Sequence, residues 1–302
     1  MLTQLMTPLL EFKDLNFSYD QVDFKFGSAS VNAGEIVVIV GPSGAGKSTL
    51  MRLLRGELDA HSGEVIIDGT AVETRKKRLV LDETKAGWVP QLDDLQNMLS
   101  LEENIGHHII GMHPEDRDER IEALKSAMYL EQFSGQKAKT LSGGQRQRVS
   151  IAKAMAGSPP VLLMDESLAQ LDLRTKSLIL MDFKAMIKRE GCAALLVLHD
   201  PVDALFVADT LWVVQGGKLV QQGKPNEIIA EPIHYEIAGL FDYINVLPLH
   251  VEVPGKWREN DQEKWCYAHE LPKLKATPIE TIKLPKGEMR IYNYHGYRLI
   301  SK

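Results

Sequence analysis

"EIVVIVGPSGAGKSTLMRLL", residues 35–54, is a β-branched apolar run, a glycine-rich loop, and a stretch with apolar residues at Leu50, Met51, Leu53 and Leu54. Strand, loop and helix in that order open a βα unit. The loop "GPSGAGKST" (41–49) fits the pattern G-x-x-x-x-G-K-S/T at Gly41, Gly46, Lys47 and Ser48, and Pro42, Ser43, Gly44, Ala45 and Thr49 complete it. Glycines let the backbone curl so that consecutive N–H groups point at phosphate oxygens. The helix that follows presents its positive N-terminal end to the same anion. In this pattern the lysine reaches the β- and γ-phosphates and the serine hydroxyl is a Mg²⁺ ligand, so Lys47 and Ser48 are expected in those roles.

Further along, "VLLM" (161–164) and "ALLVL" (194–198) are two more apolar runs of strand length. Between them, "TKSLILMDFKAMIKREG" (175–191) has helical periodicity and a glycine where a helix could stop. Buried strands alternating with helices predict an α/β fold whose largely parallel sheet is covered on both faces. The first run continues as "VLLMDESLAQLD" (161–172), which brings two adjacent carboxylates, Asp165 and Glu166, to a strand end. Left alone there, the two charges repel one another and are costly; a nucleotide-bound cation nearby offsets them. Asp165 suits the Mg²⁺ shell, as a Walker-B aspartate does, and Glu166 suits orienting or deprotonating an attacking water.

"LSGGQRQR" (141–148) is the most specific string in the chain. Ser142 can cap a helix, with Gln145 at the reciprocal position of a capping box. Gly143 and Gly144 expose backbone N–H groups at that helix's N-terminus, a second anion site. Val149, Ala152 and Ala156 space out an apolar face that can anchor the helix. One chain thus carries two phosphate-binding devices but one phosphate loop. A symmetric dimer accommodates both, each glycine-rich helix end closing over the nucleotide held by the other subunit.

Taken in their order, these motifs resemble those of the ATP-binding cassette (ABC) ATPases, over about residues 9–235. The resemblance implies a P-loop NTPase cassette with a helical subdomain, and ATP and Mg²⁺ as cofactors. "WVPQ" (88–91) is similar to the family's Q-loop, which would make Gln91 the residue that contacts Mg²⁺ and senses the transporter's membrane part. "LVLHDPVDAL" (196–205) is similar to the switch region, with His199 contacting the γ-phosphate. "LD" at 171–172 matches the end of the D-loop, which would put Asp172 at the dimer interface, and "FSYD" (17–20) puts Tyr19 where the family keeps an aromatic that stacks on adenine. The chain departs from the family at Ser167, where proline is usual, and at Ala169 and Gln170, where the usual string is "SALD". Losing that serine removes a hydroxyl that could bond across the dimer, while the set Lys47, Ser48, Asp165, Glu166 and His199 is complete.

The segment 92–140 is polar and helix-prone, and "SLEENI" (100–105) carries a capping-box signature in Ser100 and Glu103. After about 240, Pro248, Pro254, Pro272, Pro278 and Pro285 punctuate short alternating runs, and "MRIYNYHGYRLIS" (289–301) reads as a hairpin turning near His295-Gly296. The expected organisation is an ATPase domain over 1–240, its helical subdomain at about 92–158, and a small β-rich accessory domain over 241–302. Tyr292, Tyr294 and Tyr297 among Arg290, Arg298 and Lys302 could stack on single-stranded nucleic acid, but the same alternation suits a strand with one buried face.

Composition narrows the classes. The 302 residues carry a net charge of −6, which disfavours a nucleic-acid partner held by bulk electrostatics. The two cysteines, Cys192 and Cys266, give neither a disulfide framework nor metal-ligand spacing and read as packing residues in a reducing cytosol. The sequence holds no run of about 18 apolar residues and no signal-peptide start, so a membrane role is expected to be peripheral. Among the family's classes, DNA-repair members carry long coiled-coil insertions and translation factors carry two cassettes, and neither feature is present. The expectation is an ATP-hydrolysing subunit, cytoplasmic and peripheral on the inner face of the cell membrane. It powers uptake of a small solute or ion through separate permease subunits. Its partners are those subunits, a second copy of itself and, as a further candidate, a solute-binding protein; the ATPase of an exporter is the alternative, and a non-transport ABC ATPase ranks behind it.

Overall fold

A computed structural model describes residues 7–19, 22–74, 85–241, 244–248, 258–259, 263–267 and 290–292. It begins with two long strands, β1 (Leu10–Tyr19) and β2 (Val22–Val31), paired antiparallel. Phe12 and Leu15 are three residues apart and would face opposite sides of a regular strand. A register shift between them, with Asp14 at φ 47°, returns Leu15 to the buried side. Next come β3 (Ile36–Val40), α1 (Lys47–Leu54), β4 (Ser62–Ile67) and β5 (Thr70–Ala71). The antiparallel sheet has the order β2-β1-β4-β5.

The second sheet answers the expectation of parallel pairing. The chain continues through β6 (Ala86–Val89), α2 (Leu101–Ile105), α3 (Pro114–Ala127), α4 (Gly143–Met155) and β7 (Val161–Asp165). It then runs through α5 (Leu173–Glu190), β8 (Ala193–Val197), α6 (Pro201–Val207), β9 (Thr210–Gln215) and β10 (Lys218–Gly223). These give the order β10-β9-β3-β8-β7-β6, with β9, β3, β8, β7 and β6 paired parallel. The five β-branched residues of β3 are all buried, as a central strand covered on both faces requires.

The apolar face of α1 fills the space between the sheets. Leu50 and Leu54 pack in one core with Phe12 and Phe26 of the antiparallel sheet and Ile39 and Leu163 of the parallel one. Between β6 and β7 the chain is helical. Ser100 caps α2 through a full capping box, accepting from Glu103 N at 3.1 Å while Glu103 Oε2 accepts from Ser100 N at 2.6 Å. Helix α3 starts on Pro114 with Glu115 and Asp116 in its first turn, where the helix dipole favours acids. Helix α5 ends on Gly191 at φ 70°, the stop its sequence announces. The Cys192 thiol is buried, which pushes its pKa up to about 11 and leaves it a packing group.

The chain forms two compact units, Met1–Gln222 and Gly223–Lys302. In the second, α7 (Pro225–Ala230) and α8 (Tyr235–Ala238) precede β11 (Ile244–Pro248), β12 (Arg258–Glu259), β13 (Glu263–Tyr267) and β14 (Arg290–Tyr292). These strands make an antiparallel sheet in the order β12-β13-β11-β14. The turn expected at His295-Gly296 and the side chain of Cys266 lie outside the described residues. No helix among the described residues is long and apolar enough to cross a membrane.

Candidate functional site

The central strand β3 ends at Val40, and the loop Gly41–Gly46 turns from it into α1. Gly41 sits at φ 152°, and a methyl group there would lie 2.0 Å from the carbonyl oxygen of Val214 on β9. Only glycine lets the loop pass that strand. Lys47, the first residue of α1, is buried, and its ammonium folds back to donate to Gly41 O at 2.9 Å and Pro42 O at 3.0 Å. Burial holds the Lys47 pKa below its ordinary value, against the opposing pull of Glu166 and Asp165.

Ser48 links this loop to the end of β7, its Oγ donating to Asp165 Oδ1 at 3.2 Å. Burial raises the Asp165 pKa and the neighbouring Glu166 charge adds to it, while Ser48, Lys47 and His199 pull it down. A hydroxyl beside a carboxylate whose charge is disfavoured is a hard-oxygen donor pair that a divalent cation would relieve. The residues present therefore fit Mg²⁺.

Glu166 follows directly at φ 49°, a left-handed conformation rare for a non-glycine residue, with its N–H donating to Val197 O at 3.2 Å. This kink ends β7, and the side chain is then held from both flanks. Glu166 Oε2 accepts from Gln91 Nε2 at 3.3 Å and lies 2.7 Å from His199 Nε2. Gln91 follows β6 and His199 follows β8, the two strands that flank β7. Three neighbouring strands thus end at one carboxylate, on the edge where parallel α/β sheets place ligands. Backbone strain of this kind costs about 1–3 kcal/mol and gathers at functional sites.

A second cluster forms around the start of α4. Ser142 and Gln145 complete a capping box, Gln145 Oε1 accepting from Ser142 N at 2.8 Å and Ser142 Oγ accepting from Gln145 N at 3.4 Å. Val149, Ala152 and Ala156 are buried, the anchor face that their spacing foretells. The cap is docked on the start of α5 and the turn before it: a methyl group on Gly144 would lie 2.6 Å from Thr175 Cγ2, and one on Gly143 3.7 Å from Leu171 Cδ2. Asp172 caps α5 in turn, its Oδ1 accepting from Thr175 N at 3.1 Å, which holds the exposed carboxyl below its usual range. Among the described residues no side-chain hydrogen bond or ion pair joins this cluster to the one around Lys47 and Glu166.

Tyr19 closes β1 apart from both clusters. It is 39% exposed, sits edge-on to Phe17 with centroids 4.6 Å apart, and accepts at its hydroxyl from Arg52 Nη1 at 3.3 Å. Phe24 meets the ring edge-on as well, with centroids 6.1 Å apart.

Some contacts had no voice in the sequence. Asp93 and Asp94, just past Gln91, receive Arg146 and Lys153 from α4: Arg146 Nε donates to Asp93 Oδ2 at 2.9 Å, and Lys153 Nζ to Asp94 Oδ2 at 2.9 Å. Arg146 and Lys153 are two helical turns apart, so a shared face was legible, but not which acids that face meets.

Residues 24–169 match the family described as ABC transporter. The chain is 34% identical to the sn-glycerol-3-phosphate import ATP-binding protein UgpC 1 of Rhizobium johnstonii, over 85% of this chain and 69% of that protein. It is 32% identical to the spermidine/putrescine import ATP-binding protein PotA of Photobacterium profundum, over 81% of this chain and 66% of that one. The chain thus spans about two thirds of the length of these curated relatives. Among solved structures, cbiO1 of Clostridium perfringens, part of the transporter complex cbiONQ, superposes with a TM-score of 0.68 at 29% identity, covering 74% of this chain and 91% of that one.

Proposed function

The chain belongs to the ABC transporter family of ATP-binding proteins, and on that premise we propose that it is the ATP-hydrolysing subunit of an importer. The observation that carries the proposal is the Glu166 carboxylate, bonded by Gln91 and beside His199, one residue from the Lys47–Ser48–Asp165 cluster. The loop 41–49 would hold the ATP phosphates, with Lys47 exchanging its two carbonyl partners for β- and γ-phosphate oxygens. Ser48 and Asp165, with Gln91 near them, would hold Mg²⁺, which offsets negative charge on the phosphates. Glu166 would take the proton of a water whose oxygen bonds the γ-phosphorus as the bond to the β–γ bridging oxygen breaks and ADP leaves. His199 would donate to the γ-phosphate, and Tyr19 would stack on adenine.

Ser142, Gly143, Gly144, Gln145 and Asp172 then serve the nucleotide held by a second copy of the chain. Their hydrogen-bond separation from the Lys47 and Glu166 cluster supports that division. We assign 1–240 to the ATP-binding domain, with its helical subdomain at about 92–158, and 241–302 to an accessory domain. A separate permease is the proposed membrane partner, with this subunit peripheral on its cytoplasmic side. Relatives named for an anionic and a cationic solute match the same chain, which favours a selectivity that resides in the permease.

The test is Glu166→Gln, which keeps shape and removes the base. ATP binding should survive while turnover falls about a hundredfold or more, the scale of lost general-base catalysis. A variant that hydrolyses ATP at the wild-type rate would remove Glu166 from the mechanism.

A further inference from the structure

Helix α5 begins at the cap of the second cluster, and one turn later it reaches the segment that carries His199. Lys176 is mostly buried, and its ammonium lies between two carboxylates of α6: it pairs with Asp203 Oδ2 and donates to Asp200 Oδ2 at 3.4 Å. Burial would lower the Lys176 pKa, but the bonded Asp203 carboxylate holds it above its ordinary value. Asp203 is only 4% exposed. Asp200 has a second duty, capping α6 with Oδ1 accepting from Val202 N at 2.9 Å. It is also the residue next to His199, whose Nε2 lies 2.7 Å from Glu166.

A buried ion pair is a poor source of stability, because desolvating both charges offsets their attraction, and well-packed apolar replacements are often neutral or better. What such a pair does supply is direction. From the geometry we propose that Lys176 is a positioning residue for His199. By gripping Asp200 and Asp203 it sets where the cap of α6 begins, and so where the imidazole stands against Glu166. The same turn of α5 presents Thr175 to Gly144, with no room there for a side chain. The helix cap next to His199 and the glycine-rich cap of α4 are therefore held by consecutive residues, Lys176 and Thr175. This assignment rests on the proposed ATPase activity.

The experiment compares steady-state ATP hydrolysis of the full chain with that of Lys176→Met, Lys176→Arg and the apolar pair Lys176→Met/Asp203→Leu, with melting temperatures measured alongside. For a positioning role, Lys176→Met lowers kcat roughly tenfold while KM for MgATP stays within about twofold, since an interaction used in the chemical step is lost. Lys176→Arg recovers most of that loss. The apolar pair, which leaves no unpaired buried charge, melts like wild type yet stays slow. A double variant with both wild-type melting and wild-type kcat would reduce Lys176 to a helix-packing residue and overturn the inference, as would an unimpaired Lys176→Met. A wild-type chain that does not hydrolyse ATP overturns the ATPase reading itself, an outcome the variants cannot mimic.

Discussion

Glu166 shows what single residues add to a motif. The chemistry proposed for it follows from its place after Asp165, because two acids at a strand end need a cation and a task. Its left-handed backbone was not, since φ there is set by a bond to Val197 on the next strand rather than by its sequence neighbours. Its grip by Gln91 was also closed to local reading, the two being 75 residues apart; only the family resemblance pointed at Gln91 and His199. Lys47 is the complementary case. The ammonium rests on two backbone carbonyls that phosphate oxygens would replace with charge-assisted bonds. Lys47→Ala should weaken ATP binding by about 2 kcal/mol, roughly thirtyfold in Kd, by equilibrium titration. Unaltered affinity would mean that the loop does not use its lysine.

Elements were legible where the signal was local and opaque where it was tertiary. The capping boxes at Ser100 and Ser142, the glycine stop at Gly191 and the β-branched run 36–40 all appear as read. The antiparallel sheet of β1, β2, β4 and β5 left less trace, because the bulge near Asp14 breaks the alternation that would reveal β1. The junction of β3 and α1 carries an element-scale prediction. Gly41→Ala drives a methyl group into the Val214 carbonyl, so either the loop or β9 must shift. The expected cost is about 2 to 3 kcal/mol, seen as a fall of roughly 5 to 10 °C in Tm. An unchanged Tm would show that the loop can leave the sheet by another path.

At the scale of the molecule, the residues proposed for ATP hydrolysis lie within one of two units, Met1–Gln222. Purifying the complex from its native membrane should recover a permease together with a solute-binding protein; ribosomes or DNA-repair factors in their place would end the transport assignment. Glu166→Gln with ATP should also move the chain to a dimer in light scattering, because a nucleotide bound and not consumed keeps both clasps shut. One feature of the site reaches beyond any single purified variant. Among the described residues the cluster around Lys47 and the cap at Ser142 share no side-chain hydrogen bond or ion pair, so either can be spoiled while the other stays whole. Lys47→Ala and Ser142→Arg should each be inert alone. Mixed, they form hybrids in which one nucleotide meets two damaged surfaces and the other meets two sound ones. Two dead proteins should therefore restore a measurable rate to each other, a biochemical form of complementation between alleles, and a mixture as silent as its components would argue that each chain works alone.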